Sequence, residues 1–353
     1  MLYCLFLLLS WGSGSTNAEK LTAESKNTFL DSLVKIGHGF YEIFGIFGNA
    51  IGDAFGLIAV KSGDKRSKVG EHFKTIGDGL STTKNKLNEL SNKISEAKNA
   101  NSSTIEAVKG TVNSASDVFE QLIAALIKLA DTAKEAGNTD IGNNANNVAA
   151  VAADENSVKT IIKNVKEIIK ASEKSGVKIN VGDAGGQVAG GAATAGTALA
   201  KFGAAAGSGP KLVDEVTKAD PWAMINKIKD SKATTNTAVL AGNNKDAGTL
   251  ATSTNANDAN GAGAATNADL AAAVALKAMT KDGKFSAAND EAGAVKAAAV
   301  SAVNKVLGIR DVIIRKTVES NLDKIREAVK GIQYSETTTE STEASTIQPA
   351  ADK

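Results

Sequence analysis

The chain has 353 residues, enough for a sizeable core and, at about 150 residues per domain, for one or two domains. Forty basic residues against 39 acidic ones leave a net charge of +1, so no electrostatic footprint exists for a phosphate backbone and nucleic-acid binding is excluded as a main role. With 42% hydrophobic but 4% aromatic residues, the core has to come from Ala, Val, Ile and Leu in close helices, and the single cysteine, Cys4, supplies neither a disulfide framework nor a zinc site.

In chain order, residues 2–9 are apolar and read as the centre of an export signal, although the basic residues that normally precede one are missing. So short a run falls well below the roughly 20 residues that a bilayer requires. Phe29, Leu33, Ile36, Phe40, Ile43, Phe47, Ile51 and Ile58, with Ala50 and Ala54, then form an apolar stripe at helical steps. Val69, Phe73, Ile76, Leu80, Thr83, Leu87, Leu90, Ile94 and Ala97 repeat it, as do Ile105, Val108, Val112, Ala115, Phe119, Leu122, Leu126, Leu129 and Ala133. A spacing near 3.5 residues keeps a narrow seam against a neighbour, so three such segments joined by short connections predict antiparallel helices. The breaks agree, with Ser-Gly-Asp inside 61–65 and Asn and Ser caps inside 99–103. Residues 40–60 carry only Glu42 and Asp53 as charges and set Gly48, Gly52 and Gly56 four apart, a spacing that lets helices touch in a membrane or in water. The shared heptad favours a soluble helix pressed against a partner.

Val158, Ile161, Ile162, Val165, Ile168 and Ile169 predict a fourth helix that ends near Gly176. Beyond Asn180 the character changes. Residues 182–209 are Gly, Ala and small polar side chains with Val188, Leu199 and Phe202 as large apolar anchors, and 232–267 repeat Asn, Thr, Ala and Gly. Both stretches are expected to be exposed loops with short or marginal helices. Between them Asp220-Pro221 reads as an N-cap followed by proline in the first turn, opening a helix through Trp222, Ile225 and Ile228. Thr266 and Asp269 make a capping-box-like start for a helix over 270–281 that stops at Asp282-Gly283. A long last helix places Val300, Val303, Leu307, Ile314, Val318, Leu322, Ile325 and Val329 inward and Asp311, Arg315 and Glu319 on its surface. The fold class is therefore all-α, an elongated antiparallel helical bundle with Ala/Gly-rich variable loops and short helices at the distal end. Residues 1–16 are expected to be a signal remnant and linker, 17–334 one helical unit with 182–265 as its variable part, and 335–353 a disordered tail.

No catalytic, cofactor-binding or metal site is expected. His38 and His72 lie on different helices beside their seams, without a third ligand for a metal. Gly37-His38-Gly39 follows no strand and lacks the third glycine of a dinucleotide fingerprint. Asp282-Gly283-Lys284 lacks the alternating acids of a calcium loop. Lys277, Lys281 and Lys284 read as solvated helix charges rather than a cationic ledge.

Three segments carry a resemblance: 30–55, LDSLVKIGHGFYEIFGIFGNAIGDAF; 270–285, LAAAVALKAMTKDGKF; and 297–329. Together they resemble the variable large protein family of relapsing-fever Borrelia and its VlsE-like members, the second through the family's buried A-L-[RK]-x-M-x-K-x-G-K-F signature. The resemblance implies a helical lipoprotein on the outer membrane surface of a spirochaete, expressed one variant at a time and exchanged by recombination so that host antibodies lose their target. It implies no catalysis and no cofactor. One departure stands out: Trp11 occupies the position at which family members carry the lipidated cysteine, and indole has no thiol to acylate. As written, this copy is expected to lack the family's anchor, and a sequencing difference, a silent cassette or a cassette moved behind another leader is favoured over a functional unlipidated protein.

Two further readings compete with antigenic variation. An adhesin for host glycosaminoglycan or matrix could use Lys159, Lys163, Lys166 and Lys170, which recur at helical spacing with Glu167 among them. An enzyme is the weakest reading, since no nucleophile, metal set or cofactor loop is visible. A narrow seam can be satisfied within one chain or between two, which leaves a weak homodimer open.

Overall fold

The computed structural model describes residues 17–52, 58–200, 203–234, 245–254 and 263–335. Among these, the chain runs through α1 (Asn17–Gly52), α2 (Arg66–Ser95), α3 (Ser102–Glu135), a short strand β1 (Asn144–Asn146), α4 (Glu155–Lys174), a 3-10 turn (Ala195–Leu199), α5 (Ser208–Lys218), α6 (Pro221–Asp230), α7 (Ala247–Thr252), α8 (Asn267–Met279), β2 (Phe285–Ala287) and α9 (Ala292–Lys330). The all-α reading holds, with one addition. β1 and β2 pair in parallel, Ala145 opposite Ser286, and no sequence signal pointed to them.

The first three seams fold as their spacing demands. Ile36, Phe40, Ile43 and Phe47 of α1 are buried along α2, and Phe73, Ile76, Leu80, Leu87 and Leu90 of α2 meet Val112, Phe119, Leu122, Leu126 and Leu129 of α3. Gly70 sets the distance between the last two helices, because a Cβ there would stand 2.8 Å from the carbonyl oxygen of Ala130. Gly48 marks no such contact: nothing among the described residues lies within 4 Å of where its Cβ would be. Ile58, assigned to the first stripe, follows the helix and is 72% exposed, and Val60 enters the core instead. The side chains of Ala50, Ile51 and Ala54 lie outside the described residues. No helix of the described residues is long and apolar enough to cross a membrane.

Helix ends follow their capping residues. Asn101 accepts from the amides of Ser103 and Thr104, Asp154 from Ser157 at 2.7 Å, and Asp220 from Trp222 at 2.7 Å. At the end of α4, Gly176 has φ +87° and the Val177 amide reaches back to the Ser172 carbonyl at 3.0 Å, the left-handed stop expected there. Thr266 accepts from the Asp269 amide at 3.2 Å, but Asp269 does not reach back to the backbone as a capping box would. Its carboxylate takes the Thr266 hydroxyl at 2.6 Å and pairs with Lys227 of α6 at 3.2 Å.

The main correction concerns the middle of the chain. Residues 195–200 are wholly buried, as are Ala247, Gly248, Leu250, Ala251 and Ser253, so much of the stretch expected to be exposed loop is core. α5 was not foreseen as an element, and α7 is one of the short helices expected within 232–267 but is buried instead of exposed; Leu212 and Val216 of α5 are fully buried. The physical reason lies in α8, whose interior is built from Ala271, Ala272, Ala273, Ala275 and Ala278 at 0% exposure. A helix this narrow can be surrounded at native packing density only by backbone that comes equally close, and Gly, Ala, Ser and Thr permit that approach. Small residues signal tight packing here, not solvent.

Candidate functional site

All thirteen residues of α8 are buried, enclosed by α5, α6, α7 and α9 with further contacts to α2 and α4. The signature segment is therefore the centre of the molecule. Its exit is fixed by backbone geometry: Asp282 has φ +65°, and a Cβ on Gly283 would stand 2.4 Å from the Lys277 carbonyl oxygen, so only glycine fits. Beyond it, Lys284 and Val151 exchange backbone bonds at 3.1 and 2.9 Å, the Asp154 amide reaches the Lys281 carbonyl at 3.0 Å, and the Phe285 amide reaches Asn143 at 2.8 Å before the strand pairing begins.

Charges gather around this centre in a way the sequence concealed. Arg66, at the first turn of α2, donates to the carbonyl oxygens of Thr280 and Gly283 and so caps the C-terminal end of α8, where the helix dipole is negative. Burial pulls its pKa down to about 10, with Asp282 opposing. Lys277 is 0% exposed and its ammonium has no hydrogen-bond partner; burial, then the Arg66 charge, lowers its pKa to about 7. The expected solvated role holds for Lys281, which is exposed, and fails for Lys277, whose side chain stands 5.9 Å from the Phe285 ring. Lys284 is half-buried, so the three lysines form no ledge.

A second buried group joins α2 to α9. Asp311, placed on the surface by the sequence reading, is 3% exposed and accepts from Arg310 while standing 2.8 Å from Nε2 of His72. The Arg310 guanidinium lies 4.1 Å from the centre of the Phe73 ring, and burial lowers its pKa against the pull of Asp311. Arg315 and Glu319 remain on the outer face, 3.9 Å apart. His38 is exposed and pairs with Glu42 at 3.2 Å, so the two histidines share no site. Among the described residues no group of three or more His, Cys, Asp or Glu could hold a metal ion. These charges act as staples between helices. Cys4 and Trp11 lie outside the described residues.

The segment that crosses the N-terminal ends of α6 and α8 is held by main-chain bonds and by the side chains of Asp220 and Asn226, the latter donating to the carbonyls of Asn180 and Val181 at 2.8 and 3.2 Å. The amides of Ala268 and Asn267 donate to the carbonyls of Ala184 and Gly186 at 3.0 and 2.7 Å, and Val188 and Ala264 exchange bonds at 3.1 and 2.9 Å. Gly182, at φ +70°, sits so close to α6 that a Cβ would stand 2.4 Å from the Ala223 amide nitrogen. Asp220 accepts from the Asp183 amide as well as from its own helix, and these bonds hold its pKa below the usual carboxylate value. Meanwhile Val181, Asp183, Gln187 and Ala189 face outward. Backbone bonds and the side chains of Asp220 and Asn226 fix the path; of the outward side chains Asp183 takes part, accepting from the Gly185 amide at 2.9 Å, while Gln187 and Ala189 make no hydrogen bond to the frame among the described residues.

Comparison with known proteins identifies the relatives. A family model described as Borrelia lipoprotein matches residues 40–329. Variable large protein 14 of Borrelia hermsii is 65% identical over 348 residues, covering 98% of this chain and 96% of that protein. Variable large protein 10 of the same species is 63% identical over 99% of this chain and 96% of its own length. Among solved structures, the Lyme disease variable surface antigen VlsE of Borrelia burgdorferi superposes with a TM-score of 0.66 at 28% identity, covering 86% of this chain and 99% of that one. The two large proteins are named for variation and VlsE for variation at a surface, and none of the three is named for a reaction. Matched over most of its length, the chain belongs to the Borrelia lipoprotein family and sits there among the variable large proteins.

Proposed function

We propose that the chain is an antigenically variable lipoprotein of the spirochaete outer surface, whose work is to present a changeable exterior on a fixed helical frame and so evade host antibodies. The observation that carries this is the division inside the 182–265 region. Its buried residues and backbone bonds belong to the frame around α8, while outward side chains such as the exposed Gln187 make no hydrogen bond to that frame among the described residues. Substitution at exposed positions usually changes stability by less than about 0.5 kcal/mol, whereas a core position feels a single methylene. The changeable part is a set of side chains, with their main chain held in place.

The test is a chimera in which exposed residues within 178–193, together with 235–244 and 255–262, take the sequence of variable large protein 14. Antiserum raised against the parent chain should lose most of its binding to the chimera while the melting temperature stays within about 2 °C, roughly the shift that ~1 kcal/mol produces in a protein this long. Undiminished antiserum binding, or a chimera that fails to fold, would refute the proposal. A second reading, contact with host matrix, draws on one specific observation: a row of exposed lysines along α4.

A further inference from the structure

We infer that the exit of α8 holds a small monovalent anion of the halide class, bound between the Nε–H of Arg66 and the ammonium of Lys277. The two groups meet at Gly283. Arg66 gives both terminal nitrogens of its guanidinium to the carbonyl oxygens of Thr280 and Gly283, while Cγ of Lys277 lies 2.9 Å from where a Cβ on Gly283 would stand. One N–H and one ammonium are left over. Both side chains are 0% exposed, and among the described residues neither Arg66 Nε nor Lys277 Nζ has a hydrogen-bond partner. Two cations side by side in the interior require negative charge, because a charge taken out of water is costly to keep unless it is paired. No carboxylate is placed to supply it. Among the described residues the buried carboxylates are Asp269, which pairs with Lys227 near the opposite end of α8, and Asp311, which serves Arg310 and His72. Asp154, Asp220, Asp246 and Glu291, at the starts of α4, α6, α7 and α9, accept backbone amides at helix N-termini, and Glu215 of α5 accepts from Asn267. Asp282 acts on Arg66 from the exposed side of the turn.

The remaining donors select the ligand. One N–H and one ammonium can serve a spherical ion, whereas sulfate or phosphate brings a second charge and four oxygens that would stay largely unsatisfied in the interior. The negative end of the α8 dipole does not oppose the ion, since Arg66 already covers its carbonyls. Burial and the Arg66 charge lower the Lys277 pKa to about 7. Below that pH the anion meets an ammonium; above it each binding event must also take up a proton, and apparent affinity falls about tenfold per pH unit. The experiment melts the whole chain in sodium chloride and in sodium gluconate at equal ionic strength, at pH 6 and at pH 9, and examines crystals soaked in bromide. Chloride should raise the melting temperature over gluconate by about 2 °C or more at pH 6 and by less than about 0.5 °C at pH 9. Lys277→Met should lose the difference at pH 6 while melting in gluconate at or above the parent chain, and Lys281→Met, which removes an exposed lysine from the same exit, should keep it. Bromide should give an anomalous peak between Arg66 Nε and Lys277 Nζ. Equal melting temperatures in the two salts at pH 6, a difference that survives Lys277→Met, or an anomalous map empty at this place overturns the site. A chloride effect as large at pH 9 as at pH 6 also overturns it, because the ion then sits beside a cation other than Lys277.

Discussion

Lys277 holds an ammonium group in the interior with neither a carboxylate nor a carbonyl to receive it, beside a second cation, Arg66. Its pKa in the folded chain is about 7, against roughly 10.4 for a free lysine, so between these values the unfolded chain binds more protons. The group therefore makes stability rise with pH across that window and adds no slope below it. Replacing it with an apolar side chain of similar length removes the penalty. Lys277→Met is expected to raise stability at neutral pH by roughly 1–4 kcal/mol and to flatten the dependence between pH 7 and 10, read from denaturant melts at several pH values. A destabilised variant with the slope intact would show that Lys277 is satisfied in the fold. The other buried charge group predicts the opposite sign. Asp311→Ala leaves Arg310 buried without its acceptor and should cost roughly 3–5 kcal/mol, whereas Arg315→Ala, in the exposed pair with Glu319, should cost less than about 1.

Which elements could be read from sequence depends on how far away their determinants lie. α3, α4, α6 and α8 carry their caps within themselves, as Asn101, Asp154, Asp220 and Thr266 demonstrate, α2 carries its apolar period, and all were legible. α5 was not, because its N-terminal amides at Gly207 and Gly209 are received by Glu291 at the start of α9, more than eighty residues away. Asp311 was misplaced for the same reason: its spacing to Arg315 and Glu319 suggests a surface triplet, and His72, which claims it, lies 239 residues earlier. The cationic centre was equally hidden, since Arg66 and Thr280 are 214 residues apart. Two measurements at this scale test the assignments. Glu291→Ala should destabilise the chain by about 1–2 kcal/mol, the usual worth of a lost cap, and an effect below the error of a denaturant melt would argue that α5 is held by packing alone. Gly182→Ala should cost about 1–3 kcal/mol through strain at φ +70° and the encounter with Ala223, while Val181→Ala should stay within about 0.5. Equal effects of the two would mean that the backbone path there is free to move.

At the scale of the whole molecule, the described part of the low-complexity middle is neither decoration nor linker. It closes the shell around an alanine helix, and small side chains are the condition for doing so. Variation compatible with this architecture has to spare the residues that face α8 and can reach the ones that face water. That constraint accounts for a family whose members keep a fold at 28% identity, as the superposition with VlsE demonstrates.

Native-state hydrogen exchange tests this most directly, because buried and hydrogen-bonded amides open only with large parts of the fold while exposed segments exchange freely. The amides of Val188, Ala200, Leu250 and Ala264, all bonded to distant backbone or to their own buried turns, should be protected to within about tenfold of those in α8 and α9. Exchange of these four at rates close to those of an unstructured peptide, with α8 and α9 still protected, would contradict the account and return the middle of the chain to the surface.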